Sequence, residues 1–137
     1  MELSFKNILV VGLGLIGGSI LKTIKELNIP LKVYGLDLDE EVTKDANNMG
    51  LINNIDNQLK RIEEDCLIIF SVPSLSFERA FKLIEDSFNN EKVIFTDTFS
   101  SKSKLLEFLE ANTKVSEKFI MSHPIAGSEK SGLANYN

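Results

Sequence analysis

The stretch NILVVGLGLIGGSI, residues 7–20, decides the fold class of this chain. An apolar run of strand length enters a glycine-rich turn, and apolar residues at helical spacing follow. Gly12, Gly14 and Gly17 have the spacing G-x-G-x-x-G between the predicted strand and the predicted helix. Here Gly12 permits a tight turn, Gly14 lets the backbone approach a phosphate, and Gly17 lets the helix pack closely. The stretch therefore predicts a dinucleotide site.

The beginning of the predicted helix completes the phosphate-binding part of that site. Its free N–H groups and partial positive charge attract a pyrophosphate, so Leu15 and Ile16 are predicted to bind the cofactor with the three glycines. The loop lacks the Gly-Lys-Ser/Thr sequence of an ATP-binding loop. One alternative is a glycine turn without a ligand. Another is S-adenosylmethionine, which usually goes with a G-x-G-x-G pattern that this loop does not complete.

An aspartate follows at the spacing that a dinucleotide site requires. Asp37 ends the second predicted strand, twenty residues after Gly17. A carboxylate there accepts hydrogen bonds from the adenosine ribose, whereas a 2′-phosphate would meet like charge. Asp39 and Glu40 follow, and no arginine is near in the sequence. The predicted cofactor is NAD, with NADP less favoured; a surface aspartate that begins a turn is the alternative.

Apolar runs and amphipathic stretches alternate along the rest of the chain. The predicted strands are 7–14, 31–37, 66–73, 92–97 and 118–124, with a very short strand as an option at 51–53. The predicted helices are 16–28, 39–50, 76–88 and 101–112, with Asp39 as the N-cap and Gly50 as the terminator of the second. Apolar strands separated by helices indicate an α/β fold with a doubly wound parallel sheet. We expect residues 1–137 to form one dinucleotide-binding domain.

Composition narrows the class of protein further. The 137 residues are 43% hydrophobic and 26% charged, as in a soluble globular domain. A net charge of −5 argues against nucleic acid and anionic membrane surfaces as partners. The single cysteine, Cys66, and the single histidine, His123, cannot build a metal cluster, so no metal is predicted. The absence of a long apolar run or a signal peptide pattern predicts a cytoplasmic location.

Glycines and residues with polar or reactive side chains follow the predicted strands, at the edge where open α/β sheets form their ligand crevice. Ser71 and Pro73 are predicted to line the wall beneath the ribose and nicotinamide, unless the proline only stops its strand. For Ser100, and more so for Ser101, a helix N-cap role is the alternative. The complete set is Gly12–Gly17, Asp37, Ser71, Pro73, Ser74, Asp97, Thr98, Ser100, Ser101, His123 and Glu129.

The segment MSHPIAGSEKSG, residues 121–132, holds the only histidine. If a nicotinamide lies in the crevice, the reaction is hydride transfer, and the hydroxyl proton of the oxidised carbon must also leave. An imidazole, with an ordinary pKa near ~6.5, suits that proton transfer at neutral pH. His123 is therefore a candidate base. A structural or incidental histidine is the alternative.

Four stretches of the chain resemble the nucleotide-binding half of prephenate dehydrogenases. They are ILVVGLGLIGGSI, YGLDLD, DTFSSKSK and, above all, SHPIAGSEKSG. The resemblance implies oxidative decarboxylation of prephenate to 4-hydroxyphenylpyruvate with NAD(P), on the route to tyrosine. It implies that His123 is catalytic and bonds the substrate's ring hydroxyl. It also implies that Ser100 assists His123 beside the nicotinamide and that Glu129 lies near the substrate. The serine loop of the family often begins with a different residue pair than it does here, where it begins Asp97-Thr98-Phe99.

The resemblance further implies a second, mostly helical domain after residue 137, which would form a homodimer and add substrate contacts. We therefore expect this chain to be a fragment that binds NAD but has little or no dehydrogenase activity. Arogenate dehydrogenase and another NAD-dependent hydroxy-acid dehydrogenase are the alternative enzymes. A non-catalytic NAD-binding module is the alternative outside enzymes.

Overall fold

A computed structural model describes residues 4–54 and 61–122 of the chain. Within them, five parallel strands form one sheet of order β2-β1-β3-β4-β5. The strands are β1 (Asn7–Val11), β2 (Lys32–Leu36), β3 (Cys66–Phe70), β4 (Val93–Asp97) and β5 (Phe119–Ile120). The helices are α1 (Leu15–Glu26), α2 (Glu40–Asn48), α3 (Phe77–Ile84), α4 (Ser103–Ala111) and α5 (Thr113–Ser116). The order reverses between β1 and β3, which is where a doubly wound sheet opens its ligand crevice.

The sheet is covered on both faces, as the apolar strands predicted. Alternate residues of β1 enter two different cores, because successive side chains of a strand point to opposite faces. Leu9 and Val11 join the core that α3 and α4 cover, while Ile8 and Val10 join the core of α1 and α2. The first core is rich in phenylalanine: Phe70 and Phe77 pack edge to face with ring centroids 4.8 Å apart. The predicted doubly wound α/β class is confirmed.

The outer edge of β2 is closed by asparagine side chains and not by the short strand predicted at 51–53, which was wrong. The Asn54 amide bonds both backbone groups of Gly35: its Oδ1 accepts from the N–H at 3.2 Å, and its Nδ2 donates to the carbonyl at 2.6 Å. Asn53 accepts from the N–H of Val33 through Oδ1 and donates its own N–H to the Val33 carbonyl. These amides take the place of a further strand.

All four predicted helices are shorter in the structure, and the differences in the third and the fourth have clear consequences. The helix predicted at 76–88 ends at Ile84, because the backbone around Phe88 bonds Ile62 instead: Ile62 N–H donates to the Ser87 carbonyl at 2.6 Å. The helix predicted at 101–112 begins only at Ser103, with Lys102 at the N-cap position. An N-cap role for Ser100 or Ser101 was therefore wrong.

The other element predictions differ only at their ends or by an addition. Asp39 caps α2, as predicted, by accepting the Glu41 N–H at 3.0 Å. The short helix α5 was not predicted, and β5 covers only two residues of the strand predicted at 118–124. Positions 123 and 124 of that prediction lie outside the described residues. Within the described ranges, no helix is long and apolar enough to cross a membrane. No three His, Cys, Asp or Glu side chains in those ranges are grouped to hold a metal ion.

Candidate nucleotide-binding site

Gly12 makes the turn that ends β1, and only glycine fits there. Its φ is +103°, a backbone conformation that side chains disfavour. A Cβ atom on Gly12 would lie 2.6 Å from the backbone carbon of Ser71 and from the Val72 nitrogen. The loops after β1 and β3 are therefore in direct backbone contact at the switch point of the sheet.

Gly17 and Gly14 have opposite surroundings. A Cβ atom on Gly17 would lie 1.8 Å from the Gly12 carbonyl oxygen, so α1 approaches β1 as closely as the sequence predicted. A Cβ atom on Gly14 would meet nothing within 4 Å. Gly14 is thus dispensable for packing among the described residues, and its backbone faces open space.

The first turn of α1 has features that favour the binding of an anion. Gly14 is its N-cap, so no side-chain oxygen caps the helix, and no acidic residue lies in its first turn. The N–H groups there keep their partial positive charge, which favours phosphate. Leu15, 88% exposed, and Ile16, 42% exposed, leave the helix start uncovered. At the predicted phosphate position the structure thus has an uncapped helix start and open space beside Gly14.

Asp37 is joined to the glycine loop by its own side chain. Its Oδ2 accepts the backbone N–H of Leu13 at 2.7 Å, and its Oδ1 accepts that of Asp39 at 2.9 Å. Each carboxylate oxygen keeps lone-pair capacity after one bond, so the half-buried group can also accept ribose hydroxyls. Sequence spacing predicted where Asp37 lies but not that it holds the loop.

Ser71 lies at the same edge, in the loop after β3. Thr98, from the loop after β4, donates from its hydroxyl to the Ser71 Oγ at 3.3 Å. Pro73 is exposed and precedes a 3-10 turn at Ser74–Ser76. The structure thus brings together the glycine loop, Asp37, Ser71 and Thr98, and Thr98 is a residue that the sequence placed at this edge without a specific role.

The residues predicted for catalysis are only partly described. Ser100 is exposed in the loop between β4 and α4, and its side chain makes no hydrogen bond to another described residue. His123 and Glu129 lie outside the described residues. Their roles stay predictions.

A buried ion pair near Ser100 was missed. Asp97 is fully buried at the end of β4, and its Oδ2 lies 2.5 Å from the ammonium nitrogen of Lys102. The signal in the sequence was an aspartate at a strand end with a lysine five residues later. That pattern is common, so the sequence alone did not distinguish a buried pair from two surface charges.

A parallel sheet with a glycine loop after its first strand and a carboxylate after its second, at the switch point, defines a Rossmann-type nucleotide-binding domain. Residues 20–136 match the family model "Prephenate dehydrogenase, nucleotide-binding domain". The chain belongs to that family. The matched range begins after Gly17, so the geometry of the glycine loop is evidence independent of the match.

Individual relatives agree with the family. The chain is 38% identical over 131 residues to the prephenate dehydrogenase of Lactococcus lactis subsp. cremoris (strain MG1363), covering 93% of this chain and 36% of that protein. It is 30% identical over 132 residues to that of Bacillus subtilis (strain 168), covering 93% and 35%. The chain therefore spans about a third of the length of these curated relatives.

A solved structure has the same fold. Prephenate dehydrogenase from Aquifex aeolicus, in complex with hydroxyphenyl propionate and NAD+, superimposes with a TM-score of 0.70 at 28% identity. The similarity covers 93% of this chain and 44% of that one.

Proposed function

We propose that this chain is the NAD-binding part of a prephenate dehydrogenase, an enzyme that converts prephenate to 4-hydroxyphenylpyruvate. One observation carries the proposal: Gly14 presents open backbone at an uncapped helix start, and Asp37 is bonded to the same loop. Family membership supports the reaction, and the NAD+ in the Aquifex aeolicus relative supports the cofactor.

The cofactor would be held by the residues around the sheet's switch point. The N–H groups at Leu15, Ile16 and Gly17 would bind the pyrophosphate, and Gly14 would leave room for it. Asp37 would accept the ribose hydroxyls and repel a 2′-phosphate, which favours NAD over NADP. Ser71 and Pro73 would line the wall beyond the ribose. When bound, NAD supplies the hydride acceptor of the reaction.

The chemistry of this chain's own residues would lie at the neighbouring strand ends. His123 would hydrogen-bond the ring hydroxyl of prephenate and take its proton. Ser100 would assist His123, and Glu129 would line the substrate pocket. These roles rest on the match of the motif SHPIAGSEKSG to the family.

The remaining proposals concern the longer protein that the relatives represent. They are a second helical domain, a homodimer formed through it, a cytoplasmic location and no nucleic-acid partner. Because this chain spans about a third of its curated relatives, we expect it to bind NAD with little dehydrogenase activity of its own.

The direct test is a calorimetric titration of the 137-residue chain with NAD and with NADP. We expect NAD to bind and NADP to bind at least about tenfold more weakly, since a like charge near Asp37 costs about 1.4 kcal/mol or more. Failure of both nucleotides to bind would refute the cofactor proposal.

Two variants sharpen the titration. Asp37→Asn keeps an amide oxygen for the loop but removes the charge, so it should weaken NAD and reduce the preference over NADP. Asp86→Asn, an exposed aspartate just after α3, is the matched control and should change neither affinity. An unchanged NAD preference in Asp37→Asn would show that another group discriminates.

A further inference from the structure

The ammonium group of Lys102 holds two loops together at the carboxyl edge of the sheet. It donates to the Asp97 carboxylate at 2.5 Å, to the Phe99 carbonyl at 2.6 Å and to the Ser122 carbonyl. A lysine ammonium has three N–H donors, so all three are used. Its side chain is only 23% exposed, and that of Asp97 is fully buried.

Each of the two carbonyls belongs to the residue just before one that is proposed for catalysis. Phe99 immediately precedes Ser100, and Ser122 immediately precedes His123. One cation thus fixes the peptide groups that lead into both residues proposed for catalysis. Since its donors are all occupied, Lys102 has none left for a substrate or a phosphate.

Asp97 also binds Ser122, the residue whose carbonyl Lys102 binds. Its Oδ1 accepts the Ser122 N–H at 3.2 Å, and its carbonyl accepts the Ser122 hydroxyl. Thr96 donates from Oγ1 to the Ser122 Oγ at 3.1 Å. The ladder between β4 and β5 registers only Phe119 and Ile120, so these bonds hold the chain where the ladder has stopped.

We propose that Lys102 and Asp97 are positioning residues that set the place of His123 relative to Ser100 and the cofactor. The inference rests on the proposed function. Any buried ion pair needs partners for its remaining donors and acceptors, so the informative point is which groups supply them. Here the charged groups also bond the backbone on both loops, and they do so at the residues adjacent to the proposed catalytic pair.

The test uses the only histidine of the chain, whose imidazole NMR signal is unambiguous. In the parent chain, saturation with NAD is expected to shift that signal. In Lys102→Met, NAD should bind with nearly the parent dissociation constant, while the shift of the imidazole signal is lost. Lys104→Met is the matched control: Lys104 is exposed, 3.8 Å from Glu107 on the same helix, and its loss should leave the shift intact.

A second variant covers a failure of the first to fold. Asp97→Asn combined with Lys102→Met removes both charges, so no unpaired charge is buried; it should fold and lose the same shift. A parent-like imidazole shift in either folded variant would overturn the inference while leaving NAD binding established, and so would a parent that binds NAD without any shift. Absence of NAD binding by the parent chain would instead refute the proposed function, and the inference with it.

Discussion

At the scale of single residues, the three glycines of the loop do three different jobs. Gly12 has a positive φ, and a Cβ atom there would lie 2.6 Å from the loop after β3. A Cβ atom on Gly17 would lie 1.8 Å from the Gly12 carbonyl oxygen, whereas one on Gly14 would meet nothing within 4 Å. The same substitution should therefore have different effects at two positions of one motif.

Gly14→Ala should lower the free energy of unfolding by no more than about 1 kcal/mol, because its Cβ enters open space and the remaining cost is that of alanine in place of glycine at an N-cap. It should weaken NAD by at least about tenfold, because that space is where the pyrophosphate would lie. Calorimetric titration and urea denaturation measure the two effects. NAD binding as tight as in the parent would contradict the assigned phosphate position.

Gly17→Ala is the contrasting variant. Its Cβ would lie 1.8 Å from a backbone oxygen, so α1 must move, and we expect a loss of about 3 kcal/mol or more in the free energy of unfolding. Urea denaturation of the two glycine variants side by side checks this. Equal stability of the two would show that the loop adapts more than its geometry indicates.

Sequence spacing was sufficient to locate the glycine motif and Asp37 at the carboxyl edge of the sheet, since each has a fixed distance from a strand end. It was not sufficient for Lys102. The bond from Lys102 to Ser122 joins residues twenty positions apart, and it exists only because β4 and β5 are neighbours. Local patterns carry no information on such a contact.

At the scale of elements, the edge of β2 depends on one buried amide. Asn54→Ala would leave the N–H and the carbonyl of Gly35 without their partner. We expect a loss of about 2 kcal/mol in the free energy of unfolding, since each buried unsatisfied group costs on the order of 1 kcal/mol or more.

The matched control for that edge is Asn48→Ala, at an exposed position near the end of α2. It should change the free energy of unfolding by less than about 0.5 kcal/mol. Urea denaturation of both variants decides the question. Similar losses in the two would mean that the amide of Asn54 is replaced by water.

Strands and helices could be told apart from the sequence because their apolar residues repeat with different periods. The ends of several of these elements could not be predicted. The helix predicted at 76–88 buries residues at helical spacing, Phe77, Ala80, Phe81 and Ile84, yet it stops at Ile84. The competing partner, Ile62, is more than twenty residues away along the chain. The optional strand at 51–53 did not form for a related reason. The side-chain amides of Asn53 and Asn54 hydrogen-bond the edge of β2 in its place.

At the scale of the whole molecule, the sheet separates two cores, and the one cysteine, Cys66, is buried in the core that α3 and α4 cover. Burial raises the pKa of the Cys66 thiol to about 12, from an ordinary value of 9.0. The folded chain therefore keeps the thiol neutral at a pH where the unfolded chain ionises it. The stability that Cys66 contributes is complete below about pH 9 and is lost as the pH rises toward about 12.

The measurement is the free energy of unfolding of the parent and of Cys66→Ala at several pH values between about 8 and about 10.5. The parent should lose up to about 1.4 kcal/mol per pH unit more than the variant above pH 9. All other side chains are common to the two proteins, so their contributions cancel in the difference. Parallel curves would show that the thiol reaches solvent in the folded chain.

The double attachment of Asp37 has a consequence for anyone who wishes to redesign the cofactor preference. The carboxylate that would exclude a 2′-phosphate is also the acceptor for the Leu13 N–H. Replacing Asp37 by a small neutral residue would open room for NADP and at the same time release the loop that must bind its pyrophosphate. Selectivity and loop order are thus coupled through one side chain, and a redesign must supply a new acceptor for Leu13 together with the new charge.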